Sequence, residues 1–133
     1  MRQARLTLFL IVVATSVVCA DTWQRANLYF VEWETTVRAA LTPQRVRELA
    51  DYRAVFHRDV VTFANSLRLD ALRPNKNKRP RDARLVIDLF TDTGARVTYY
   101  SDGADLLTED NAYSRPVGEA FRKRMTDVAH HHQ

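Results

Sequence analysis

The sequence predicts an α+β domain: an N-terminal antiparallel helix hairpin, a small antiparallel sheet of two or three strands, and a C-terminal helix. Three observations carry this expectation. Apolar residues recur at steps of three and four through residues 22–41 and again through 46–67, the spacing of a buried helix face. The stretch "RLVIDLFTDTGARVTYYSDG", residues 84–103, alternates on both sides of a glycine-containing turn, as a β-hairpin does. Pro116 then opens a last segment, "VGEAFRKRMTDVA", with helical spacing.

Ahead of the domain, Met1 to Arg5 carry two arginines and no acid, and Leu6 to Val18 is almost wholly apolar. Thirteen residues of helix rise only about 20 Å, short of a hydrocarbon core of roughly 30 Å. A basic start, a short greasy run and the small-residue exit Val18-Cys19-Ala20 together describe a signal peptide of residues 1–20, cleaved before Asp21. The expected location is therefore periplasmic or secreted. Lipidation at Cys19 is the alternative, but that chemistry prefers a small residue before the cysteine and Val18 is bulky. Cleavage after Ala20 removes the chain's one cysteine, and with it any disulfide, thiol nucleophile or thiolate-bound metal. Of 133 residues, 113 remain; Lys and Arg fall from 20 to 18 with the loss of Arg2 and Arg5, against 16 acids. An excess of two argues for no particular partner class.

Within the domain, residues 21–129, Trp23, Ala26, Phe30, Trp33, Val37 and Ala40 form the stripe of the first helix. Its inner "LYFVEW" also suits a strand, though one apolar on both faces and hence buried centrally. Thr42-Pro43 reads as a cap and first turn. The second helix follows to about Leu69, with Val46, Leu49, Ala50, Phe56, Val60, Phe63, Ala64 and Leu67 inward and Arg53 interrupting. Residues 70–84 are a polar, proline-punctuated connector. In the hairpin, Gly94 supplies positive φ. Asp102-Gly103 marks another turn, and a third short strand is expected around Glu109-Asp110-Asn111. The last helix buries Val117, Phe121, Met125 and Val128, and residues 130–133 are expected to be a disordered tail. The helices should pack on one face of the sheet.

No catalytic, cofactor or metal constellation stands out. His57 has Arg53 and Val61 as its neighbours one turn away and no acid to orient it. Asp88 interrupts the apolar strand "LVIDLF" and, if buried, needs a cation such as Arg84, Arg96 or Arg53. Asp102, Asp105, Glu109 and Asp110 lack the ligand alternation of a calcium loop and read as turn residues. The terminal histidines, His130 to His132, could hold a metal only loosely. The connector's Lys76, Lys78, Arg79 and Arg81 with Arg84 concentrate positive charge without interleaved aromatics, which argues against a nucleic-acid client and leaves an acidic protein or an anionic envelope surface. Tyr99 and Tyr100 are strand neighbours and point to opposite sides, so one should face outward as an interface tyrosine. The function expected is that of an exported, non-enzymatic protein-binding domain, an inhibitor or immunity-type protein that blocks an enzyme or toxin. Its candidate contact residues are Tyr99, Tyr100, Lys76, Lys78, Arg79 and Arg81. Two alternatives stand beside it: a small envelope hydrolase or isomerase using Asp88, His57 and a tyrosine, and an anionic-surface binder using residues 76–84.

Overall fold

The computed structural model describes residues 23–37 and 39–131. The segment expected to be a signal peptide, with Cys19, lies outside the described residues, as do His132 and Gln133. In chain order the elements are β1 (Trp23–Phe30), α1 (Pro43–Leu49), β2 (Tyr52–Phe56), α2 (Val60–Ser66), a 3-10 turn (Leu69–Ala71), β3 (Arg73–Pro74), β4 (Leu85–Thr91), β5 (Arg96–Ser101), β6 (Asp105–Thr108), β7 (Tyr113–Pro116) and α3 (Glu119–His131). The strands form one seven-stranded antiparallel sheet in the order β2-β1-β4-β5-β6-β7-β3.

This overturns the expected helix hairpin and its two- or three-stranded sheet. Residues 23–30 are a strand whose C-terminal half is covered on both faces. Ala26, Leu28 and Phe30 enter one core, while Tyr29 and the following Val31 pack in another. Between β2 and β4, β1 has the central position that two apolar faces require. The expected second helix is three elements. Thr42 does cap α1, its Oγ1 accepting from the Arg45 N–H at 3.2 Å, with Pro43 in the first turn. The helix stops at Leu49, however, and "YRAVF" then alternates exposed Arg53 and Val55 with buried Ala54 and Phe56. Helical spacing resumes only in α2, where Val60, Phe63 and Ala64 are buried.

The β4–β5 hairpin turns at Gly94, φ +86°. Glu109–Asn111, expected as a strand, is instead the turn between β6 and β7, with Asn111 at φ 62°. Pro116 ends β7, and α3 starts at Glu119. His130 belongs to α3 and stacks on Tyr52, with centroids 4.3 Å apart, so the expected tail is helical through His131.

Helices cover both faces of the sheet, not one. On the first face α2 and α3 meet Leu28, Phe30, Leu85, Ile87, Leu89 and Leu106. On the second, Val46 of α1 and the passing Leu41 and Ala83 pack on Val86, Tyr100 and Leu107. Full burial of each such aliphatic side chain contributes about 1.5–3 kcal/mol. The connections explain the double cover: α2 carries the chain to β3 at the far edge, and residues 75–84 bring it back to β4 over the second face.

Burial holds the hydroxyls of both Tyr99 and Tyr100 above the ordinary phenol range, near 10, with Arg81 partly opposing the effect at Tyr100. A neutral phenol is favoured in the fold, so this stability is fully present below the unfolded value and is lost as pH rises from about 10. Urea midpoints measured from pH 8 to 11 should fall above pH 10, and Tyr99→Phe should reduce that fall. An identical alkaline loss in the variant would refute the assignment.

Candidate functional site

Asp88 is 1% exposed, on the second face of β4. Its cation is Arg47 of α1, a residue the sequence reading did not consider. The guanidinium forms a two-pronged bond, Nε to Oδ2 and Nη2 to Oδ1, each 2.9 Å. Thr98 on β5 donates its hydroxyl to Oδ1 at 2.6 Å and accepts from Arg47 Nη2 at 3.0 Å. Gln44 and Glu109 accept the remaining contacts, at 3.0 and 3.4 Å. Bonding to Asp88 raises the Arg47 pKa above its ordinary value, against the opposing effect of burial. Every oxygen of Asp88 is therefore occupied in clamping α1 to the sheet. No hydrogen bond among the described residues joins it to His57, which lies exposed just past β2, or to a tyrosine.

The residues expected to meet a partner fall into three groups. Tyr100 is 2% exposed, its hydroxyl donating to Asn111 Oδ1, and Tyr99 is half-buried against the first core. Neither is an outward tyrosine, because both faces of the sheet are covered; the exposed one is Tyr113, at 49%. Arg81 is bound by Asp102 and Asp105 at 3.2 and 2.9 Å, which ties the returning connector to the β5–β6 end. Arg84 is buried against Asp82. Lys76, Lys78 and Arg79 remain exposed, on a loop held to the β6–β7 turn by Asn75 through Asn111 and Ala112. Among the described residues no three histidine, cysteine, aspartate or glutamate side chains group as a metal site.

Five large apolar side chains are exposed among the described residues, and they sit in two places. Val97 and Tyr113 line a groove of about 600 Å³ where β5 runs on beyond its last partner on β6, Tyr99 opposite Thr108. Arg96, Thr98, Thr108, Glu109 and Asp110 complete it. Leu49, Val55 and Val61, at 46%, 50% and 50%, lie along the chain around β2: the first precedes it, the second lies on it, and the third is in the first turn of α2. β2 lies at the edge of the sheet and pairs with one strand, β1, so the alternate main-chain groups of Tyr52–Val55 that face away from β1 have no second strand beside them. The groove offers a shorter main-chain run, Arg96 to Thr98. β2 is the better-built docking edge.

The alternation in "YRAVF" was the signal for this edge, and the sequence reading absorbed it into a helical stripe. Leu49, expected inward, is exposed because α1 ends there, and Arg53, which interrupted the stripe, donates to the Arg47 carbonyl at 3.0 Å. No protein-family model, no curated protein and no solved structure matches the chain.

Proposed function

We propose that this chain is an exported protein-binding domain, of inhibitor or immunity type, that receives an extended segment of its partner as an added strand along β2. The observation that carries the proposal is the position of β2 at the sheet edge, paired with β1 alone, with Val55 half-exposed on it and Leu49 exposed just before it. Strand addition draws affinity from main-chain hydrogen bonds and specificity from alternate side chains. Here the outward positions are Arg53 and Val55, so the partner segment should place an apolar residue beside Val55 and an acidic or neutral one beside Arg53. Of the devices that blunt natural edges, β2 carries one charged side chain, Arg53, and no proline. Export rests on the basic start and short apolar run of residues 1–18, and blocking a partner outside the cytoplasm is the role it suits.

The test is capture from envelope extract at physiological salt, with the wild-type chain compared with Val55→Lys. Val55 is half-exposed, so the substitution should change stability by no more than about 0.5 kcal/mol. A stoichiometric partner held by wild type and bound at least tenfold more weakly by the variant supports the proposal. Equal retention, or no stoichiometric partner, contradicts it. Concentration-dependent dimerisation abolished by Val55→Lys would make a second copy the occupant and overturn the inhibitor role.

A further inference from the structure

At the opposite end of the first face, three arginines gather around the C-terminus of α2. Arg115 of β7 donates Nε to the Leu67 carbonyl at 2.8 Å. Arg124 of α3 donates Nη2 to the adjacent Ser66 carbonyl at 3.0 Å. Arg68, between these carbonyls and the 3-10 turn, reaches only Asp70, at 3.2 Å. Three elements distant in sequence thus bring three guanidinium groups to one helix end. Capping α2 accounts for part of this, since cations suit a helix C-terminus. It does not account for three.

Neither Arg115 nor Arg124 has an ion-pair partner among the described residues. Burial, then the charges of Arg124 and Arg68, push the Arg115 pKa down, with Asp70 partly opposing them. Arg68 also adopts φ 54°, ψ 53°, a left-handed conformation that glycine occupies without strain. With Asp70 already engaged by Arg68, the cluster retains a net charge of two.

We propose that Arg68, Arg115 and Arg124 form a binding site for a tetrahedral oxyanion, a sulfate or phosphate monoester group, separate from the β2 edge. The charge fits, since inorganic sulfate and a phosphate monoester carry close to two negative charges near neutral pH and a sulfate ester carries one, and guanidinium forks pair with their oxygens two at a time. Each guanidinium has five N–H donors, and the protein contacts described leave donors on all three unused. Arg115, half-buried and fixed by two carbonyls, sets the position; Arg68 and Arg124, both exposed, close on the ligand.

The test follows the arginine Nε–H NMR signals during titration with inorganic sulfate and inorganic phosphate, against chloride at matched ionic strength. Saturable shifts at Arg68, Arg115 and Arg124 are expected, with affinity at least tenfold weaker in Arg68→Gln and in Arg124→Gln. Arg68→Gly gives a second reading: its unfolding midpoint should stand at or above wild type while anion affinity drops as far. Vesicles of phosphatidylcholine, with and without phosphatidic acid, distinguish the ligand's source. Binding to the doped vesicles assigns a lipid headgroup, and binding to soluble ions alone assigns a free or glycan-borne group. Shifts that chloride reproduces, or affinity unchanged in the arginine variants, would overturn the site.

Discussion

Replacing Arg47 by alanine should cost the protein about 3–5 kcal/mol of stability, the range for breaking a buried ion pair from one side. The Asp88 side chain is 2% exposed, and Arg47 gives each of its oxygens a charged donor. Without the guanidinium, Thr98 is the one hydrogen-bonding partner left. The carboxylate cannot reach water from the middle strands, so the cost is that of an uncompensated charge rather than of one lost bond. Urea unfolding followed by circular dichroism measures it. Replacing both partners with apolar residues, Arg47→Met with Asp88→Leu, should recover most of the loss, because the desolvation of two charges disappears along with their attraction. If Arg47→Ala unfolds at the wild-type midpoint, the clamp is not what fixes α1 to the sheet.

Leu28→Ala should cost about 2–5 kcal/mol, the usual range for truncating a buried leucine. Leu28 is 0% exposed, in the first core between β2 and β4. The effect separates the two conformations that the sequence allows for this segment. A helix with Trp23, Ala26, Phe30, Trp33 and Val37 inward would turn Leu28 away from its partner, and truncation there would cost little. The same unfolding experiment therefore tests both the core and the identity of β1.

That ambiguity shows why part of the fold was legible in the sequence and part was not. The β4–β5 hairpin could be read because Gly94 fixes its turn and runs rich in β-branched and aromatic residues flank it. In the run Leu28 to Val31 both faces are apolar, so steps of two and steps of three and four match the same residues, and only the neighbours decide. Between Val46 and Leu67 two seven-residue helices flank a strand, and their stripes happened to stay in phase across it. Arg53, charged at a position in phase with the stripe, is the trace of the break. The two-sided cover of the sheet depends on where residues 75–84 cross, which local pattern does not encode, and the burial of Tyr99 and Tyr100 followed from it. Asp88 was correctly marked as needing a cation, but Arg47 lies 41 residues away and enters only because α1 folds over that face. The docking edge was hidden for the same reason as the strand that forms it.

Hydrogen exchange on the complex captured by the wild-type chain bears most directly on strand addition at β2. Amides within Tyr52–Val55 that face away from β1 should exchange readily in the free protein and become protected when the partner binds. Protection confined to the β5–β7 groove or to the 76–79 loop, with β2 exchanging as fast as before, would contradict it.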